Sequence, residues 1–104
     1  MTLVWRARAI NDLRNLFAHI AHYTDPGHAY DVLAELRTQI EALLDQPALG
    51  RRGHQRGTRY LIVRVGTNIY RCLYRVSGQR IIVVRVRDTR QEGASPQWEL
   101  MWGE

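Results

Sequence analysis

The chain has no lysine: all fifteen of its basic side chains are arginine. Every fixed positive charge is therefore a planar, permanently ionised guanidinium whose fork suits phosphate and carboxylate. Cysteine occurs once, at Cys72, which excludes an internal disulfide. Because Cys72 sits in an apolar strand pattern, it is read as a buried, inert thiol and not a nucleophile. No apolar run approaches the ~20 residues needed to span a bilayer. Residues 1–8 are broken by charge where a signal peptide would have an apolar core, so a cytoplasmic protein without a membrane partner is expected. At 104 residues, 45% of them hydrophobic, the chain has room for one core, and a single domain over residues 1–104 is expected.

Acidic residues are almost missing from one stretch. Residues 1–46 hold four Arg against six Asp or Glu, residues 47–91 hold eleven Arg against Asp88 alone, and residues 92–104 hold three Glu and no Arg. The corresponding net charges are −2, +10 and −3, which give the total of +5. Mixed signs would serve solubility equally well, so a concentrated field of one sign points to a polyanion or an acidic protein partner.

The apolar spacing outlines the elements. Ile10, Leu13, Phe17 and Ile20 recur at three- and four-residue steps and predict a helix over residues 6–23. Asp25 and Pro26 supply an N-cap and a first-turn proline. Ala29, Val32, Leu33, Leu36, Ile40, Leu43 and Leu44 then predict a second helix ending before Pro47. The short link makes the two an antiparallel hairpin, about residues 6–46. A Gly- and Arg-rich loop covers residues 47–58, and beyond it the period drops to two. Strands are expected at residues 59–65, 69–76 and 80–87, an antiparallel meander within about 59–90, followed by a tail over 91–104. The fold class expected is α+β, the helical hairpin packed on a small antiparallel β-meander sheet.

The two faces of the meander differ. One reads Leu61, Val63, Val65, Tyr70, Cys72, Tyr74, Val76, Ile82, Val84 and Val86, and suits packing on the helices; the other carries Arg64, Arg71, Arg75, Arg85 and Arg87. A two-residue loop at Thr67 and Asn68 sets Arg64 opposite Arg71, and a three-residue loop at Ser77, Gly78 and Gln79 sets Arg71 opposite Arg85. Like charges directly opposite destabilise a sheet, so this expected row of three arginines implies an anion-binding surface, or else neutralisation by Glu residues of the tail.

This order of elements resembles the toxins of the bacterial RelE/ParE superfamily, the poison half of type II toxin-antitoxin modules. The resemblance covers about residues 4–91. It rests on Gly57, Thr58 and Arg59 entering the first strand of the meander, on the run Tyr70, Arg71, Cys72, Leu73, Tyr74, Arg75, Val76, and on residues 81–90. The family implies a growth-inhibiting, plasmid-stabilising toxin held by a cognate acidic antitoxin that folds as it binds. RelE-like members cut mRNA in the ribosomal A site, whereas ParE-like members inhibit DNA gyrase. The arginine after the first tyrosine of the RelE-type strand is catalytic, a role that falls on Arg71, and a basic residue seven positions earlier recurs, here Arg64. RelE-like nucleases place further basic residues and a His or aromatic just after the third strand. Arg90 fills the basic position, no His or Tyr is near it, and Trp98 stands in as a base-stacking group at longer spacing.

The chemistry fits metal-independent cleavage, in which arginines stabilise charge on the phosphorane while a 2′-hydroxyl attacks. The catalytic candidates are Arg64, Arg71, Arg85 and Arg90. The RNA-binding candidates are Arg51, Arg52, Arg56, Arg59, Arg87 and Trp98, for which a solvated loop is the plain alternative at residues 51–56. Arginine is a poor general base, and His54 reads more simply as a solvated loop residue. His19 and His22 have a metal-compatible spacing but no third ligand, so they read as surface residues; no metal or cofactor is expected. The expectation is therefore a RelE-like, ribosome-dependent mRNA endoribonuclease with ribosome and mRNA as partners. Its alternatives are a ParE-like gyrase inhibitor and a non-catalytic nucleic-acid-binding module. The tail residues Trp98, Leu100, Met101 and Trp102 are too apolar to stay in water and are expected to dock on this domain or on a partner.

Overall fold

A proline follows the N-cap of the second helix and a charged residue opens the first, and both boundaries appear in the computed structural model, which describes residues 1–91. In chain order the elements are β1 (Thr2–Trp5), α1 (Ala7–Tyr23), α2 (Pro26–Glu41), β2 (Arg51–Arg52), β3 (Thr58–Val65), β4 (Asn68–Ser77) and β5 (Arg80–Asp88). Short 3-10 turns occupy Ala42–Leu44 and Thr89–Gln91. Asp25 Oδ1 accepts the His28 N–H at 2.9 Å, the capping contact its position predicts.

The sheet has five strands in the order β1-β5-β4-β3-β2. The predicted meander β3-β4-β5 is its centre, antiparallel throughout. The sequence reading did not include β1, which pairs parallel to β5 through Leu3 with Ile81 and Trp5 with Val83, or the two-residue β2 on the far edge. Both helices lie on one face, and the core between them and the sheet holds Ala9, Leu16, Ile20, Val32, Leu36, Ile40, Val63, Tyr70, Cys72 and Tyr74. On α1 the inward stripe is Ala9, Leu16 and Ile20, rotated from the one the spacing predicts, so Ile10 remains 40% exposed.

The register differs from expectation at both turns. The first turn is centred on Gly66 and Thr67, with Val65 opposite Asn68, because Gly66 takes φ +60° at no steric cost. Arg64 therefore faces Ile69, and Arg71 faces Ile62. The second turn has two residues, with Gly78 at φ +58° in its first central position and Ser77 opposite Arg80. A bulge then intervenes: Tyr74 pairs with Val83 but Leu73 pairs with Arg85, leaving Val84 as the extra residue. That extra residue inverts the two halves of β5. Ile81 and Val83 join Val86 in the helix-side core, while Ile82 and Val84 join Leu73 in a second cluster beside Val4 and Tyr60. The expected row of Arg64, Arg71 and Arg85 consequently does not form. The like-charged pairs across the sheet, among the described residues, are Arg71 opposite Arg87 and Arg52 opposite Arg59.

Candidate functional site

A groove of about 860 Å3 runs along β3 where β2 no longer covers its edge. Its cationic lining is Arg51, Arg64 and Arg71, set among Tyr60, Ile62 and Ile69, with Thr89 at one end. Strand periodicity delivers Arg64 and Arg71 to this side, and β2 brings Arg51, which sits opposite Tyr60. Gln39 reaches over from α2 and donates to the Arg64 carbonyl at 2.8 Å, tying helix to strand edge. The Arg71 guanidinium carbon lies 5.1 Å from the centroid of the Tyr60 ring, a cation–π contact that orients the charge. Among the described residues the lining contains no carboxylate and no imidazole, so these side chains can hold an anion but offer little for moving a proton.

The other catalytic candidates are elsewhere. Arg85 donates from Nε and Nη2 to the two carboxylate oxygens of Asp12, at 2.8 and 3.0 Å, and the side chains are only 15% and 9% exposed. Arg90, although itself exposed, donates to Asp88 at 2.8 Å. Asp88 is buried, which by itself raises its carboxyl. The hydrogen bonds from the Arg90 side chain and backbone N–H, with the charges of Arg90 and His19, outweigh burial and hold the carboxyl below its ordinary value. The structure thus brings together Arg64 and Arg71 from the expected catalytic set and separates Arg85 and Arg90 from them.

The remaining candidates divide as well. Arg52, Arg56 and Arg59 surround a second basic depression at the β2-β3 turn. Arg59 is partly committed there, since its Nη1 donates to the Gly50 carbonyl at 2.9 Å. Arg87 lines a polar cleft beside Asn11, Asp12 and Asn15. Trp98 lies outside the described residues. Cys72 is fully buried, and burial pushes its thiol well up, in keeping with an inert role.

Three groups, Tyr74, Gly50 and Asp12, have structural roles that the sequence did not assign to them. Tyr74 donates to the Pro47 carbonyl at 2.7 Å and accepts the Gly50 N–H at 2.8 Å, anchoring the loop that carries Arg51. Burial raises its phenol, and the Gly50 hydrogen bond works the other way. Gly50 has no room for a side chain: a Cβ there would lie 2.6 Å from Tyr74 Cε1 and 2.7 Å from the Tyr60 carbonyl. Asp12 shares the inward face of α1 with Ala9, Leu16 and Ile20 by its three- and four-residue spacing, and a carboxylate in that stripe is the signal that an arginine must meet it. His54 is exposed in the β2-β3 turn, away from the Arg64 groove.

The same architecture occurs in solved toxins. The chain is similar to a structure of the chromosomal ParDE toxin-antitoxin system from P. aeruginosa, with 23% identity over 85% of this chain and 95% of that one, at a TM-score of 0.75. An arginine-to-alanine double mutant of E. coli RelE in the free state is similar at 17% identity and a TM-score of 0.63, over 96% of this chain and 93% of that one. The RelBE2 toxin-antitoxin complex of Mycobacterium tuberculosis gives 24% identity and 0.55, over 84% and 95%. No curated protein matches the chain. Identities this low carry the fold alone, but the family model described as the ParE toxin of the type II toxin-antitoxin system parDE matches residues 3–93. With nearly its whole length matched, the chain belongs to the ParE toxin family of type II toxin-antitoxin systems.

Proposed function

We propose that this toxin acts as a ParE-like inhibitor of DNA gyrase, working by binding and not by cutting RNA. The observation that carries the reading is the engagement of Arg85 by Asp12 and of Arg90 by Asp88. Of the four arginines expected to share an active site, the nearly buried Arg85 is held by Asp12 and the exposed Arg90 is paired with Asp88, and among the described residues the groove holding the other two has no carboxylate or imidazole in its lining. Such a surface suits electrostatic complementarity with an acidic or phosphate-bearing target. The membership in the ParE family argues the same way.

The toxin's cognate antitoxin is its expected partner under this reading. An acidic segment suits the cationic groove. A separate apolar groove on the helical hairpin, lined by Trp5, Ile10, Leu13, Tyr30 and Leu33, offers a hydrophobic counterpart.

A second reading, RelE-like ribosome-dependent cleavage, has one observation in its favour: Arg64 and Arg71 share a groove with an aromatic ring, as a phosphate and a stacked base would require. One experiment separates the two. Purified toxin is added to a gyrase supercoiling assay and, in parallel, to a purified translation system with labelled mRNA. Blocked supercoiling with intact mRNA is expected, relieved by Arg51→Glu combined with Arg64→Glu. Ribosome-dependent cuts with undisturbed supercoiling would overturn the proposal in favour of cleavage. Salt-sensitive binding to free nucleic acid with neither effect would leave only a binding module.

A further inference from the structure

The turn between β2 and β3 carries a cluster of cations outside the Arg64 groove. Arg52 and Arg59 are paired directly opposite each other across the two strands, and Arg56 sits in the turn that joins them. The three surround a depression of about 440 Å3 whose other walls include Gly53, Gln55 and Gly57. Directly opposed side chains on neighbouring strands have Cβ atoms about 5 Å apart, where two like charges destabilise the pairing. Arg37, Arg85 and Arg90 each meet a carboxylate. Among the described residues Arg52, Arg56 and Arg59 meet none, and the depression has no acidic residue in its lining.

The turn that carries them is tied internally. Gly53 N–H donates to the Thr58 carbonyl at 2.9 Å, and the Thr58 N–H and Oγ1 donate to the Gln55 carbonyl at 3.1 and 2.6 Å. Gly57 closes the turn at φ +81°, and the space a Cβ would fill there has no protein atom within 4 Å, so a ligand can approach the backbone closely. Arg59 is held by one corner, its Nη1 donating to the Gly50 carbonyl at 2.9 Å. Among the described residues the Nε–Nη2 edge of that guanidinium meets no acceptor. A guanidinium fixed at one corner with its fork edge turned to a cationic hollow is preorganised for bidentate contact with a phosphate. An acidic protein segment would also want apolar anchors, and Val76 is the one apolar side chain in the lining. Phosphate-backbone contacts need none.

We propose that the β2-β3 turn is a nucleic-acid backbone clamp, in which Arg52, Arg56 and Arg59 bind the phosphodiester groups of a strand without reading its sequence. It is a second anion site, separate from the groove of Arg64 and Arg71. The clamp deepens the gyrase reading, since the strand is then the DNA that gyrase holds and the toxin touches DNA as well as enzyme. The site itself does not require that reading.

The test is fluorescence anisotropy of the full chain with a labelled DNA duplex, and with an RNA duplex of the same length, across a salt series and without gyrase. Binding should weaken linearly on a logarithmic plot against salt. Arg52→Gln and Arg56→Gln should each flatten that slope by about 0.9 and weaken binding several-fold, equally for unrelated sequences. Arg14→Gln removes the same charge from an exposed position of α1 and should change neither. Arg59 is left intact because it also anchors Gly50, and circular dichroism confirms the fold of each variant. Tighter binding to either duplex identifies the source of the phosphates and supports the clamp. Absence of binding, or slopes unchanged in both variants, would overturn it. So would displacement by polyglutamate as effective as by unlabelled duplex at equal charge, which would assign the turn to an acidic protein partner. A supercoiling assay on the same samples keeps the two proposals apart. DNA binding without inhibition would remove the gyrase reading and keep the clamp, and inhibition without DNA binding would do the reverse.

Discussion

Asp12 on α1 and Arg85 on β5 form a bidentate ion pair, and the same carboxylate accepts the Val86 N–H at 2.9 Å. This contact lies just past the end of β1, whose last paired residue, Trp5, faces Val83. Beyond that point the β5 edge has lost its strand neighbour, and Asp12 takes over as acceptor for the exposed ladder position. The arginine is thereby a structural cation that fastens helix to sheet.

Removing the carboxylate should accordingly be costly. Asp12→Ala removes the bidentate carboxylate from the nearly buried Arg85 guanidinium and the side-chain acceptor from Val86 N–H, and a loss of about 3 kcal/mol is expected. Urea unfolding followed by circular dichroism measures it. A midpoint shift near zero would mean that Arg85 does not depend on Asp12 and is available to a ligand.

Loop geometry around Arg51 depends on Tyr74 and Gly50. Tyr74→Phe deletes a hydroxyl that serves both the Pro47 carbonyl and the Gly50 N–H, and should cost about 1–3 kcal/mol. Gly50→Ala should cost at least as much, because its Cβ meets a backbone oxygen that cannot swing aside. Thermal melts of the two variants test this. Both should also weaken toxin activity beyond what lost stability explains, since the loop they anchor presents Arg51 to the groove.

Much of this fold could be read from residue order. Helical spacing, the Asp25 and Pro26 cap, and the drop to a two-residue period placed the helices and the meander within a residue or two of their ends, except at the C-terminus of α2, where the α-helix stops at Glu41 and Ala42–Leu44 form a 3-10 turn. Three local decisions were illegible. Whether the first hairpin turns on Thr67 and Asn68 or on Gly66 and Thr67 is a one-residue choice, made by the positive φ of Gly66. The bulge at Val84 leaves no trace in a run of Ile, Ile, Val, Val, because every residue of that run suits either face. The strand β1 is four residues long, too short for a period to emerge, and its partner is 75 residues or more away in sequence. Arg64 and Arg71 were legible as site candidates because their parity holds on both sides of the first turn. The removal of Arg85 from that set required the bulge and a helix-borne carboxylate.

Cys72 is completely buried in the helix-side core, and burial pushes its thiol far above the ordinary range. In native buffer at neutral pH it should not react with a thiol-specific disulfide reagent, and one equivalent should label once denaturant unfolds the chain. Labelling in native buffer at the rate of a free thiol would show that the core opens well below global unfolding.

The acid limb of stability should report Asp88. Its folded-state carboxyl is held below the ordinary value, because the Arg90 hydrogen bonds and charge outweigh the opposing effect of burial. Between the folded value and the unfolded value of about 3.9, the unfolded chain binds more protons, so stability rises with pH across that window. The contribution is complete above the unfolded value and disappears as pH falls through the folded one. Melting temperatures between about pH 2 and pH 7 should therefore drop less steeply on the acid side in Asp88→Asn than in the native chain, from a lower plateau at neutral pH. Arg90→Ala should shift the Asp88 carboxyl upward and move the acid limb toward higher pH, since burial would then face fewer opposing contacts. If Arg90→Ala left the acid limb unchanged, the ion pair would be a surface contact without energetic weight, and Arg90 would return to the cations open to a phosphate.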